Sequence, residues 1–395
     1  MEHLDRRTFL RTSLVAASGA VLTGTLHAQD GKAAAPKDAP APVKHTRTLG
    51  RTGLVLPVVS MGVMRADNPG LVSAALGKGF VHLDTAHGYQ KGRNEEMLGK
   101  LLAGVPRNSF VISTKVPPEG GDPETATKTW LGRVELSLQR LKMDHVDILY
   151  LHGTSSKEET TNPVMLDAMK QAKAKGYTRF LGVSTHKNEP DVIDAAADCG
   201  VYDVVLTSIN FKQDHYPSVK AAIGRAAKAG VGIIAMKTMA GGFLDREKTK
   251  PVNCKAALKF VLQDPNVITS IPGITSFDQL DENSSVNHDL VLTEQEQDAL
   301  AAARLEGGLY CQGCEHCVAG CPRNLAIPEY MRAFMYAYGY RDLAMAHTVV
   351  KQHERGSDPC HGCSTCSADC VKGFPVRERI ADVRRVGMIP DDMLS

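Results

Sequence analysis

Residues 110–151 read FVISTKVPPEGGDPETATKTWLGRVELSLQRLKMDHVDILYL, and their pattern decides the fold. An apolar run opens the stretch at 110–114 and another closes it at 146–151. Short runs of Val, Ile and Leu without polar alternation suit strands covered on both faces. Between them Leu131, Val134, Leu138 and Leu141 recur at steps of three and four, which places them on one face of a helix. The unit is strand, helix, strand, the connection that joins parallel neighbours.

The same unit repeats outward in both directions. Comparable runs fall near 58–63, 80–83, 179–183, 204–209, 232–236 and 268–271. The helical stretches DVIDAAADCG (191–200) and SVKAAIGRAAKAG (218–230) each end on a glycine suited to a helix C-terminus. Eight alternations in about 250 residues match a closed (β/α)8 TIM barrel, here 47–304. A doubly wound sheet would normally carry a glycine-rich phosphate turn, and the chain has neither GxGxxG nor GxxxxGK[ST]. The expected class is α/β: a TIM barrel, followed at 305–395 by a second, cysteine-rich domain.

Bulk composition agrees with two domains. The chain has 395 residues, 43% apolar and 23% charged, with a formal net charge of +2. That balance, with 5% aromatic residues, argues against nucleic acid as a partner. Residues 1–28, with paired Arg6 and Arg7 before an uncharged apolar core, resemble a twin-arginine (Tat) signal. The resemblance implies the Tat translocase as a partner and a periplasmic or otherwise exported protein; an uncleaved signal would serve as an anchor. The apolar core is shorter than the ~20 residues needed to span a bilayer, and no later stretch reaches that length. Residues 29–46, rich in Ala, Pro and Lys, read as a linker.

Catalytic groups of such barrels come from the C-terminal ends of the strands. Three successive strand ends read LDTAHGYQ, VISTK and LYLH, presenting Asp84, Tyr89, Lys115 and His152. This set fits carbonyl reduction. Hydride arriving at carbon leaves charge on oxygen, which needs a proton. A tyrosine hydroxyl can supply it, but its ordinary pKa is about 10. A lysine ammonium beside it is expected to lower that value, with Asp84 holding Lys115 and His152 orienting the substrate oxygen.

These motifs, at these spacings, resemble the aldo-keto reductase family over roughly residues 47–300. The resemblance implies an oxidoreductase that interconverts a small-molecule carbonyl and alcohol with a nicotinamide cofactor, NADP or NAD. GVSTH then places Ser184 and Thr185 at the carboxamide, with Asn210 beside them. Met236 and Lys237 stand where the family often stacks an aromatic ring. IPGITSFDQLDEN supplies Glu282 and Asn283 for adenine. Gly273 and Gln279 occupy places where the family often holds cations against a 2′-phosphate, and uncharged groups offer little to that dianion.

Eight of the ten cysteines crowd into the second domain. YCQGCEHCVAGCP carries Cys311, Cys314, Cys317 and Cys321, matching the ferredoxin run C-x2-C-x2-C-x3-C-P. PCHGCSTCSADCV repeats the spacing at Cys360, Cys363, Cys366 and Cys370, with Val371 in place of the proline. Two 4Fe–4S clusters are expected, in an α-helical ferredoxin-like iron–sulfur domain, because the intervening segment has a helical pattern. Likeness to two-cluster ferredoxins, where the fourth cysteine of each run serves the other cluster, pairs Cys370 with the first triplet and Cys321 with the second. Structural zinc and disulfides are the alternatives. The clusters imply a redox partner protein. Two other functions stay open: an electron-transfer subunit with a non-catalytic barrel scaffold, and a Schiff-base lyase using Lys115 or Lys237.

Overall fold

The computed structural model describes residues 43–245, 247–306, 308–353 and 358–394. The Tat-like segment 1–28 and most of the linker lie outside them. Ten strands are described: β1 (Thr46–Thr48), β2 (Val55–Pro57), β3 (Met61–Gly62), β4 (His82–Asp84), β5 (Val111–Val116), β6 (Val146–Leu151), β7 (Thr178–Thr185), β8 (Val204–Ser208), β9 (Gly232–Met236) and β10 (Val267–Ser270). Strands β3 to β10 pair in parallel in chain order. The ring closes where Ser60 N donates to Ser270 O (2.8 Å), Ser270 N to Val58 O (2.9 Å) and Gly62 N to Pro272 O (3.0 Å). The eight runs read from the sequence are these eight strands, and the fold is a (β/α)8 barrel.

Side chains alternate across each strand, and both faces are apolar. Ile148, Tyr150, Val204, Leu206, Ile234 and Met236 form an inner cluster with Leu49, Leu54 and Leu56. Those three leucines belong to the β1–β2 hairpin, an antiparallel pair that the sequence reading did not anticipate. The outer face packs beneath the helices, where Leu131, Val134, Leu138 and Leu141 are all buried. Their helix, Pro123–Leu141, begins with Asp122 accepting from Thr125 N at 2.9 Å and ends at Lys142, whose φ of 56° is left-handed. The linker boundary also shifts slightly. Thr46 already belongs to β1, and His45 N donates to Asn287 O at 3.0 Å.

Helix Arg93–Leu102 meets the end of helix Pro123–Leu141 closely at Gly99. A Cβ there would collide with the Arg140 carbonyl oxygen and the Leu141 backbone. Backbone cannot swing aside as a side chain can. Gly99→Ala is therefore expected to destabilise the barrel by about 1–3 kcal/mol, despite alanine's better helix propensity. Denaturant midpoints of the two proteins check this.

The C-terminal domain has its own core, with Tyr330, Met331, Phe334, Val349, Val350 and Val383 at its centre. Helices Ile327–Phe334 and Leu343–His353, where the helical pattern was read, build it with a third, Val376–Gly387, that was not foreseen. A π-helical segment, Met335–Tyr340, follows the first of them. The domain lies against the barrel mouth: Lys212 Nζ donates to Glu306 O (3.0 Å), Lys248 Nζ to Gly339 O (3.0 Å), and Lys372 pairs with Asp214 (2.7 Å). No helix among the described residues is long and apolar enough to cross a membrane.

Candidate active site and cysteine centres

Asp84 ends β4, Lys115 lies in β5, His152 follows β6, and Tyr89 opens the short turn after β4. Because β4, β5 and β6 are neighbours, three strand mouths bring the four side chains together. Lys115 Nζ donates to Asp84 Oδ2, to Thr85 O (2.6 Å) and to Tyr89 OH (3.4 Å). The rings of Tyr89 and His152 meet edge to face, centroids 6.2 Å apart. Asp84 and Lys115 are each only 2% exposed. Behind them Ser113 Oγ donates to Asp84 Oδ1 (2.7 Å), and His82 Nε2 lies 3.0 Å from the same hydroxyl. Burial holds His82 neutral, at about 4. These two groups fix the carboxylate that fixes the lysine.

One electrostatic expectation is corrected. Lys115 was expected to pull the Tyr89 phenol down, yet Tyr89 lies well above its ordinary value. Burial is the main cause, with Asp84 adding to it. The carboxylate that anchors Lys115 cancels much of its field at the phenol, and a buried phenolate is poorly solvated. Burial also lowers Lys115, against the pull of Asp84. His152 is held well below the usual imidazole range by burial, then by Lys115 and Arg332. The site therefore offers a protonated phenol and a neutral imidazole.

The expected dinucleotide residues fall in two groups. Near the cysteine-bearing domain, Ser184 Oγ accepts from Gly153 N (3.0 Å), and Thr185 Oγ1 donates to Lys187 O (2.6 Å). Both are fully buried. Asn210 lines a cavity at the barrel mouth with its amide donating to Gln312 Oε1 (2.8 Å). Met236, 8% exposed, packs in the inner barrel cluster at the end of β9. Lys237, in the cavity wall, lies 5.2 Å from the Tyr336 ring centre and 5.6 Å from that of Tyr340. The second domain thus brings aromatic rings to the strand end that lacks its own.

On the other side of the mouth, Gly273 is open, and Gln279 Oε1 caps the Thr275 N–H at 2.8 Å. Glu282 and Asn283 follow in helix Phe277–Val286. Asn283 is 2% exposed and its Oδ1 has no partner among the described residues. An orphaned buried acceptor at this place fits an adenine amine, and Ser184 keeps a hydroxyl proton for a carboxamide oxygen. These residues suit a dinucleotide once Gln312 releases Asn210.

The cysteines gather across their two runs. Cys370 lies in the electrostatic neighbourhood of Cys311 and Cys317, acting on Cys317 more strongly than Cys321 does, and Cys321 lines a second cavity with Cys360, Cys363 and Cys366. Burial pushes the Cys311 thiol up to about 12 and the Cys317 thiol to about 11, and neighbouring cysteines add to it. Thiolates crowded there need a cation to hold them, which bound iron supplies. All ten cysteines are free of disulfides. The number and spacing of the cysteines suit two clusters, although no three of the His, Cys, Asp or Glu side chains among the described residues are gathered as a metal site.

Comparison with known proteins bears on both halves. Residues 62–256 match the Aldo/keto reductase family and residues 310–375 the 4Fe-4S dicluster domain. L-galactose dehydrogenase of Arabidopsis thaliana is 26% identical over 299 residues, 65% of this chain and 92% of that protein. Methylglyoxal reductase DkgB of Escherichia coli O157:H7 is 26% identical over 263 residues, 63% and 93%. A holo-form aldo-keto reductase from Bacillus halodurans superposes with a TM-score of 0.54 at 22% identity, covering 65% of this chain and 95% of that one. These findings support an oxidoreductase made of an aldo/keto reductase domain and an iron–sulfur dicluster domain.

The sequence reading missed His186, Gln312, Arg332 and Tyr336. His186 directly follows GVST, where nothing in the sequence marks it as functional. It lines the mouth cavity with Gln312 and Arg332, while Tyr336, buried at 4% exposure, lies against Lys237.

Proposed function

We propose that the protein interconverts a small-molecule carbonyl and alcohol, with a nicotinamide cofactor carrying the hydride and two 4Fe–4S clusters exchanging single electrons with a redox partner. The supporting observation is the buried Lys115 ammonium that touches Asp84 and Tyr89 together. In the reducing direction Tyr89 gives its proton to the substrate oxygen. The resulting phenolate is stabilised by Lys115, which Asp84 holds in place. His152, neutral, donates its one N–H to the same oxygen and orients it. The cofactor's part is hydride donation or acceptance at carbon. Asn210, Ser184 and Thr185 would hold its carboxamide end, Met236 and Lys237 would border the nicotinamide, and Glu282 and Asn283 would hold the adenine, with Gly273 and Gln279 leaving no charge for a 2′-phosphate.

Cys311, Cys314, Cys317 and Cys370 would carry one cluster, and Cys360, Cys363, Cys366 and Cys321 the other. The domain boundaries proposed are 47–304 and 305–395. Export through Tat, with the clusters already inserted, follows from the Arg6–Arg7 segment as a proposal. A second reading, a non-catalytic barrel carrying an electron-transfer domain, is favoured by the Asn210–Gln312 bond, which occupies a cofactor anchor.

Anaerobically purified full-length protein tests the proposal. Iron and sulfide analysis should give about eight of each per chain, the content of two 4Fe–4S clusters. NADH should bind, and bind more tightly than NADPH, in fluorescence titrations. Neither nucleotide binding would leave the scaffold reading.

A further inference from the structure

Cations outnumber carboxylates on the wall of the mouth cavity. Lys187, Lys237 and Arg332 face it with a single carboxylate, Glu329. Glu329 is also shared: its carboxylate accepts from Arg332 Nε at 2.8 Å and has His353 at 3.6 Å and Lys187 at 4.0 Å, Lys187 being nearer to Glu315 at 3.5 Å. Lys237 has no carboxylate within 4.0 Å among the described residues; its neighbours are the Tyr336 and Tyr340 rings. A partly desolvated ammonium without a counter-ion is costly. Beside it His186 Nδ1 is buried without a hydrogen-bond partner among the described residues. The wall thus presents an uncompensated cation, a second cation sharing its carboxylate and an imidazole nitrogen.

Groups around the cavity respond to this field. Burial alone would raise the Tyr336 phenol, but Lys237 and Arg332 bring it below its ordinary value. Burial, then Arg332 and Lys237, hold His186 well below the imidazole range. The neutral imidazole can donate one N–H. His152 and Lys115 do not line the cavity but lie near enough to act electrostatically on His186.

We propose that this cavity, walled by Lys237, Arg332, Lys187, His186 and Asn210, binds a carboxylate, so that the substrate is a carbonyl or alcohol compound bearing an acid group. The inference rests on the oxidoreductase reading and names the substrate class of that site. Lys237 is the principal counter-ion, Arg332 the second, and His186 donates to a remaining acceptor position of the carboxylate, while the Asn210 amide stays with Gln312 or the cofactor carboxamide. The reacting carbon then lies on the side of His152 and Tyr89.

The test uses the cluster-loaded full chain with pyruvate, 2-oxoglutarate and succinate, and with methyl pyruvate as an uncharged counterpart. Titration calorimetry should show at least one of the acids binding, methyl pyruvate binding at least tenfold more weakly than pyruvate, and salt weakening the acids. Lys237→Met should reduce acid binding about tenfold or more, the usual scale for a hydrogen bond to a charged group, with iron content unchanged. Absence of binding by all three acids, or equal binding of pyruvate and its ester, overturns the proposal. So does a Lys237→Met variant that binds acids normally but shifts a cluster potential, because Lys237 would then be a counter-charge to the cluster at Cys311. Turnover of methyl pyruvate that depends on Tyr89 would leave the oxidoreductase reading intact while this one fell.

Discussion

Tyr89→Phe is expected to lower carbonyl reduction by about 10²- to 10⁴-fold, the range for a lost general acid, without changing iron or sulfide content. The substitution removes one oxygen and keeps the ring that meets His152 edge to face. Lys115 retains Asp84 and the Thr85 carbonyl, so the buried pair survives. Lys115→Met is a worse test because it strands Asp84 as an unpaired buried charge. That penalty, about 3–5 kcal/mol for broken buried pairs, would confuse catalysis with folding.

The pH dependence follows from the same environment. The active form of Tyr89 is the protonated one, and burial lifts its pKa above the ordinary value of about 10. Its acid form is fully present at neutral pH and is lost only as pH rises through that elevated value. Reduction should therefore show no loss from Tyr89 between about pH 6 and 9. Steady-state rates across that range, with metal analysis of each preparation, check both statements. A phenylalanine variant working at the wild-type rate would reduce the barrel to a scaffold.

The barrel was legible because its strands are covered on both faces. Runs such as VDILYL have no polar alternation to obscure them, and Leu131, Val134, Leu138 and Leu141 mark their helix plainly. The catalytic set was legible for a related reason: closure brings consecutive strand ends together, so Asp84, Lys115 and His152 needed no long-range knowledge. Residues supplied by the other domain had no such signal. Arg332 and Tyr336 sit in a run that reads as ordinary amphipathic helix. Its π-helical part, a feature often found at functional sites, depends on packing over the barrel mouth. Gln312 lies between two cluster ligands, and nothing local announces a bond to Asn210, 102 positions away. The leucines of the β1–β2 hairpin stand beside a linker and gain meaning only as the floor of the barrel. The direction of the Tyr89 shift needed burial as well as charge. A neighbouring lysine is visible in a string of letters; the loss of water around a phenol is not.

Exchange of fourth ligands between the cysteine runs gives the second large effect. Cys370→Ser should remove the cluster beside the barrel, and Cys321→Ser the outer one, each variant keeping about half of the iron held by two clusters. Two observations support it: Cys370 acts electrostatically on Cys311 and, more strongly than Cys321, on Cys317, and Cys321 shares a cavity with Cys360, Cys363 and Cys366. Single variants do not say which cluster was lost, but double variants do, because effects within one unit do not add. Cys311→Ser combined with Cys370→Ser should retain as much iron as either alone. Cys360→Ser combined with Cys370→Ser should retain almost none. If each run instead held its own cluster, these two results would exchange places. The assignment also carries a consequence for the barrel. Gln312 stands between Cys311 and Cys314, so losing their cluster should free the Asn210 amide and tighten NADH binding. Losing the outer cluster, whose ligands do not flank Gln312, should leave NADH binding as it was.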